Sequence, residues 1–381
     1  MRLCGLENIA SQPHLFQKRR LGLVTTASAV DSSLYSSVEV LSSLYDLKAL
    51  FAPEHGLFSD IADGEPVATC TDANSGLPVY SLYQHEGQSL SSDMVEGIDA
   101  LVFDIQDLGL RFYTYIATLK NLLIDASSLG LPVIVLDRPN PLGGVVVEGN
   151  ILGKDSFSFV GPASLPIRYA LSIGELALYL NTVEEIGCDL SVVPLTGWRR
   201  SMYFSDLGLP WVMTSPAIAH FSTALLYAGM CLFEGTNLSE GRGTSAPFSL
   251  IGSPFLEPFS LSRMANGLGL AEVGFTPAHF TPTASKYAHE SCKGLYVHVL
   301  DKHQFRPVKT ALSLINLIAK QYPGEFSFLP AGKEGSMMSI ERLAGRNTQA
   351  MLLQDLPHLL HAWEDESRLF TEQKQRFHLY Q

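Results

Sequence analysis

No run of lysine or arginine longer than Lys18-Arg19-Arg20 occurs in this sequence, and its formal net charge is −12. A surface of that sign repels phosphate backbones and anionic headgroups, so no nucleic-acid and no membrane partner is expected. Nor is there an uncharged apolar stretch of about eighteen residues, the least that spans a bilayer as a helix. The amino terminus, Met1 to Glu7, lacks the apolar core of a signal peptide. The expectation is a cytoplasmic protein, with a secreted mature form already trimmed of its leader as the alternative. Five cysteines (Cys4, Cys70, Cys188, Cys231 and Cys292) stand far apart and odd in number. That argues against a disulfide framework and against a thiolate zinc site. Also missing are the strand-then-Gly-x-Gly-x-x-Gly order of a dinucleotide site and the Gly-Lys-Ser/Thr ending of a phosphate loop, so no cofactor is expected.

What is present is a globular composition, 46% hydrophobic and 17% charged over 381 residues, long enough for two domains. Apolar runs with strand character at Leu21–Thr26, Leu47–Phe51, Val79–Tyr83, Leu101–Asp104, Pro132–Leu136 and Leu190–Pro194 alternate with helical patterns at Val38–Leu44, Ile116–Ala126 and Ile173–Glu185. Alternation of this kind predicts an α/β fold with a mostly parallel sheet. Ser172 and Glu175 have capping-box spacing, which explains Glu175 without catalysis. Residues 59–75, rich in Asp, Ala, Gly and Thr, read as a long irregular loop placed as a lid would be. Proline-punctuated, aperiodic sequence from Gly208 to Pro216 sets the domain boundary, giving residues 1–217 and a smaller α/β domain over 218–381. The second domain is read with strands near Phe275–Pro282 and Gly294–Leu300 and helices at Phe221–Leu232, Val308–Lys320 and Leu356–Leu369.

Three apolar runs end in acid-bearing turns, and strand ends are where α/β proteins keep their chemistry. Pro53-Glu54-His55-Gly56 follows the second strand. A carboxyl shielded there would have a raised pKa and serve as a general acid; the competing reading is an exposed turn acid beside a histidine bonded to backbone. Asp104 and Asp107 with Arg111 form either a chemical cluster or a structural salt bridge at a strand-to-helix junction. Tyr113 and Tyr115 suit a stacked sugar or an ordinary buried helix start. The turn-rich stretch from Glu234 to Thr244, carrying Asn237, Glu240 and Arg242, holds glycines that let backbone approach a ligand. Glu54, His55, Asp104, Asp107 and Asp137 are also competent metal ligands, although no His-x-x-x-His or His-x-Asp pattern gathers them. His279, His289, His298, His303, His358 and His361 read as surface or core histidines.

Pro53-Glu54-His55-Gly56, Phe103 to Tyr115, Leu136-Asp137-Arg138-Pro139-Asn140-Pro141, Glu234 to Thr244 and Ser285-Lys286-Tyr287 together resemble, in order over nearly the whole chain, the NamZ family of exo-β-N-acetylmuramidases. The resemblance implies a Rossmann-like amino-terminal domain, a smaller carboxy-terminal domain and an active site in the cleft between them. It implies release of N-acetylmuramic acid from the non-reducing end of peptidoglycan fragments in cell-wall recycling. The expected partner is thus a small-molecule glycan, a muropeptide or a muramic-acid-terminated saccharide. Glu54 matches the family's catalytic glutamate and is expected to be the general acid. Asp104 or Asp107 would be the second carboxylate or orient the substrate's acetamide, with Glu240 the candidate from across the cleft. Arg111 or Arg242 would hold the lactyl carboxylate, and His55, Tyr113 and Asn237 complete the expected binding set. Two positions depart from the family pattern: Thr26 stands where Asn is usual, and Ser215-Pro216-Ala217 where Ser-Pro-Asn is usual. Two alternatives remain beside this expectation. One is a metal-dependent hydrolase using Glu54, His55 and Asp104; the other is a sugar-binding protein that does not turn over.

Overall fold

The computed structural model describes residues 4–62, 64–83, 89–330 and 337–381. Residues 1–3 of the amino-terminal reading and Asp63 of the expected lid lie outside the described residues. The chain forms two compact units, each assembled from separated segments: residues 1–146, 169–221 and 371–381 in the first, 147–168 and 222–370 in the second. The sequence reading drew one cut at 217/218. Two long-range tethers explain the different grouping. Lys374 Nζ donates to the carbonyls of Gly144 at 2.8 Å and Ala170 at 3.0 Å, anchoring the carboxy terminus in the first unit. In the second, the Ile151 amide donates to Glu366 at 2.7 Å and Ser367 Oγ to the Gly149 carbonyl at 2.9 Å.

The first unit holds a seven-stranded sheet from β1 (Arg20–Thr25), β2 (Asp46–Ala52), β3 (Cys70–Thr71), β4 (Pro78–Ser81), β5 (Ala100–Asp104), β6 (Val133–Leu136) and β7 (Leu190–Val193), in the order β3-β4-β2-β1-β5-β6-β7. All pairings are parallel except β3 with β4, a hairpin inside and beyond the stretch read as irregular loop. Leu101, Val102 and Phe103 have no exposed surface. Burial on both faces is why these strands are continuous apolar runs, each such side chain stabilising the fold by about 1.5–3 kcal/mol. Pairing of Thr25 with Asp104, Phe103 with Val135 and Leu136 with Val193 aligns the strands' carboxyl ends on one edge. Helix α1 (Ser37–Leu44) starts at a Ser36–Glu39 capping box. Helix α2 (Tyr115–Leu129) buries Ile116, Leu119, Leu122, Leu123 and Ala126 and ends at left-handed Gly130. Helix α3 (Ile173–Val183) begins with the Ser172–Glu175 capping box that its sequence announced.

The second unit contains a three-stranded antiparallel sheet, β8 (Leu250–Ser253), β9 (Val273–Phe280) and β10 (Cys292–Val299), in the order β8-β10-β9. Strand β8 has no counterpart in the sequence reading. Pro277 is accommodated because β9 is an edge strand. Gly294 is required where β10 passes β8, since a Cβ there would lie 2.0 Å from the Ile251 carbonyl oxygen. Helices α4 (Phe221–Met230), α5 (Pro258–Asn266), α6 (Pro307–Gln321), α7 (Ser339–Ala344), α8 (Thr348–Gln354) and α9 (Leu356–Gln373) complete the fold. Among the described residues no helix is long and apolar enough to cross a membrane.

Candidate active site

The turn after β2 is tight and locally costly. His55 and Gly56 are both left-handed, with φ of +71° and +75°, and the Gly56 amide closes the turn on the Pro53 carbonyl at 3.1 Å. A non-glycine residue in that region costs of order 1–3 kcal/mol and persists only where its surroundings hold it. Here the hold is His55 itself. Its Nδ1 donates to the Ile61 carbonyl at 2.9 Å, and the Ile61 amide returns to the His55 carbonyl at 3.3 Å.

That geometry buries Glu54, only 7% exposed, and the exposed-turn reading therefore fails. The Gly64 amide donates to one carboxylate oxygen at 3.1 Å, and Thr114 Oγ1 donates to the other at 2.5 Å. Gly64 belongs to the stretch expected to act as a lid, so this stretch reaches the candidate acid through its backbone. Thr114 immediately precedes α2, sixty residues away in sequence, and its hydroxyl goes to Glu54 and not to the helix's own amides.

At the end of β5 the two aspartates of the expected Asp104–Asp107–Arg111 cluster have different partners. Fully buried Asp104 takes a two-pronged contact from Arg138, Nε at 2.5 Å and Nη2 at 2.9 Å. The reason is strand order: β5 and β6 are neighbours, and Arg138 follows β6 by two residues. Arg111 has no exposed surface. Asp107 instead accepts from the Gly109 amide at 2.6 Å and from the Tyr169 hydroxyl. Its other oxygen, Oδ1, is buried and makes no hydrogen bond among the described residues. Burial raises the Asp107 pKa to about 6 against the pull of those donors. Gly109, at φ +76°, admits this turn because a Cβ would strike the Asn140 side-chain amide at 2.3 Å.

Two tyrosines lie between these acids. Tyr115, fully buried, meets Tyr113 edge-on at 4.9 Å and donates to the Thr214 carbonyl at 2.6 Å. Desolvation first, then the charges of Glu54 and Asp107, hold its hydroxyl well above the usual phenol range, so both carboxyls act on one side chain. Tyr113 is 4% exposed and its hydroxyl lies near Thr214 and Ser215. Thus Ser215-Pro216-Ala217, which departs from the family pattern, adjoins the tyrosine pair. Sequence reasoning missed Thr114, Arg138 and Tyr169. Thr114 and Arg138 had a signal, their places within the Phe103–Tyr115 and Leu136–Pro141 motifs, and Tyr169 had none.

Asp137 is structural. Four donors converge on it: the Arg138 amide, the Gly174 amide, Ser172 Oγ and the Tyr380 hydroxyl. Among the described residues no group of three His, Cys, Asp or Glu side chains is placed to hold a metal ion. Asp104 is committed to Arg138, so the metal reading of Glu54, His55 and Asp104 has no geometric support.

In the second unit the glycine-laced stretch is knit together by its own polar groups. Glu240, 1% exposed, pairs with Lys286 Nζ at 2.9 Å and lies 3.8 Å from Arg242 Nε. Lys286 also donates to the Phe233 and Leu238 carbonyls, both at 2.8 Å. Arg242 reaches Glu234 at 2.9 Å and sits over the Phe248 ring at 5.1 Å. The side-chain amide of Asn237, expected to bind substrate, instead splices to backbone, donating to the Glu325 carbonyl at 2.7 Å and accepting from the Ser327 amide at 3.0 Å.

Comparison with known proteins bears on both units. Residues 21–222 match the family described as "Exo-beta-N-acetylmuramidase NamZ, N-terminal", and residues 225–380 its C-terminal counterpart. The chain belongs to the NamZ exo-β-N-acetylmuramidase family. It is 40% identical over 367 residues to the peptidoglycan beta-N-acetylmuramidase NamZ of Bacillus subtilis (strain 168), covering 95% of this chain and 87% of that relative. Among solved structures it resembles a DUF1343 family protein from Bacteroides fragilis NCTC 9343, with a TM-score of 0.90 and 30% identity, covering 100% of this chain and 99% of that one. A second DUF1343 family protein from the same organism, at 24% identity and a TM-score of 0.78 over the same shares of the two chains, shares the fold.

Proposed function

We propose that this chain is an exo-acting glycoside hydrolase that releases N-acetylmuramic acid from the non-reducing end of peptidoglycan fragments, with Glu54 as the general acid. Membership of the NamZ family across both units supports the reaction class. The observation that carries the residue assignment is the setting of Glu54, a buried carboxyl at a strand's carboxyl end with one oxygen on an amide and the other on a hydroxyl. Neutral donors fix the carboxyl's orientation, which a group that transfers a proton to the departing oxygen needs.

A second group must act at the anomeric carbon. Asp107 is the reading supported here, because it influences the same tyrosine as Glu54 and keeps one oxygen without a hydrogen bond among the described residues. Asp104 and Glu240 are each tied to a cation. Release from a chromogenic N-acetylmuramide tests the proposal: wild type cleaves it, and Glu54→Gln binds it but turns it over about 10²–10⁴-fold more slowly. Wild-type protein that binds the sugar and never cleaves it would overturn the enzyme reading.

A further inference from the structure

Tyr169 lies just ahead of α3 in the first unit, with no exposed surface, and its hydroxyl donates to Asp107 Oδ2. Burial and then the Asp107 charge hold that phenol well above its usual range, so it stays protonated and is the donor of the pair. The Gly109 amide reaches the same oxygen at 2.6 Å, whereas Oδ1 accepts no hydrogen bond among the described residues. An amide two residues on fixes the carboxyl only within its own turn. Tyr169 ties it to a segment sixty-two residues away.

The backbone that carries Tyr169 is itself strained and firmly held. Ala170 is left-handed at φ +53°, a conformation that a non-glycine residue keeps only where its surroundings impose it. Its carbonyl accepts from Arg200 Nη2 at 2.6 Å and from Lys374 Nζ at 3.0 Å, and the Leu171 carbonyl accepts from the Asn140 side chain at 2.9 Å. Three donors from other parts of the unit thus fix the two residues that follow Tyr169. Packing would place an aromatic ring here without a hydroxyl; the hydroxyl serves Asp107. We propose that Tyr169 is a positioning residue for the reaction: its hydroxyl holds Asp107 by Oδ2 and leaves Oδ1 as the oxygen that works at the anomeric carbon. The proposal rests on the reading of Asp107 as the second group, acting as a carboxylate. Burial pushes that carboxyl up, and the Tyr169 hydrogen bond works against it by favouring the ionised form. Tyr113 and Tyr115 also feel the Asp107 charge, and both are held above the usual phenol range and stay neutral.

The test is the pH profile of kcat/KM for release from a chromogenic N-acetylmuramide, which reports the groups of the free enzyme. In the wild type the acid limb should fall at about 6, where Asp107 titrates. Tyr169→Phe keeps the ring and removes the donor, so the limb should move upward by about one pH unit, the worth of a hydrogen bond to a charged group. Asp107→Asn supplies a second arm. Combined with Tyr169→Phe it should lose no more activity than Asp107→Asn alone, because the hydroxyl acts through the carboxylate. An unmoved limb, or losses that multiply in the double variant, overturns the positioning role. A Tyr169→Phe protein that does not fold makes the hydroxyl part of the scaffold and overturns it too. Asp107→Asn with wild-type turnover overturns the Asp107 reading and this proposal with it, and a wild type that cleaves nothing defeats the muramidase reading separately.

Discussion

Two buried glutamates, one in each unit, are held in opposite ways. Glu54 rests on an amide and a hydroxyl, both neutral, whereas Glu240 rests on Lys286 with Arg242 nearby. Removing a neutral donor costs about 1 kcal/mol. Removing one partner of a buried ion pair strands a charge and costs about 3–5 kcal/mol. The difference teaches that burial alone does not sort these acids; on the proposed reading, the partner's charge separates chemistry from scaffold. Asp104 with Arg138 falls on the scaffold side of the same line.

The comparison breaks most sharply if the two glutamates respond alike. Glu54→Gln should lose about 10²–10⁴-fold in kcat with its melting temperature nearly unchanged. Lys286→Met should instead destabilise the fold by about 3–5 kcal/mol in denaturant titration, because Glu240 is left buried beside an uncharged chain. A stable Lys286→Met protein would remove Glu240 from the scaffold.

Next in size is pH. Burial raises Asp107 to about 6, above the ordinary aspartate value of 3.8. The folded state therefore holds a proton that the unfolded chain has lost between those pH values. Its contribution to stability is full below about pH 4 and is lost as pH rises through 6, a change on the order of 3 kcal/mol. Asp137, raised to about 7 by burial, adds to the fall in the same direction. Thermal unfolding of Asp107→Asn from pH 4 to 6 should show a shallower decline than wild type. An unchanged slope would mean Asp107 is not the titrating group.

Smaller still is the hydroxyl on Glu54. Thr114→Val keeps the shape but removes the donor, and should lower kcat about tenfold with KM little changed, while Thr114→Ser recovers most of it. Loss through KM, or no rescue by serine, would make Thr114 a packing residue only. Smallest is the effect of chelator: activity should be unchanged after treatment and not raised by added divalent metal.

Three of the motifs that carried the resemblance end apolar strands, and the structure explains why those could be read. Strands buried on both faces must be continuously apolar, so β1, β5 and β6 stood out, as did α2 with its Gly130 stop. Short elements were the exception. Strand β8, four residues long, and the hairpin strand β3 carry too few residues for a period to register.

Pairings across the chain were less accessible. Asp104 was read with Arg111, seven residues on, because sequence offers only nearby partners; its actual partner, Arg138, depends on β6 lying beside β5. Likewise the Glu54–Thr114 bond spans sixty residues and the Asp107–Tyr169 bond sixty-two.

The sequence by itself determined which residue types end each strand and therefore where acids, amides and hydroxyls gather, since periodicity and turn chemistry are local. Only the tertiary structure decided which acid meets a cation and which meets a neutral donor. That choice depends on strand order and on the desolvation that packing imposes, and neither is written within any one stretch of chain.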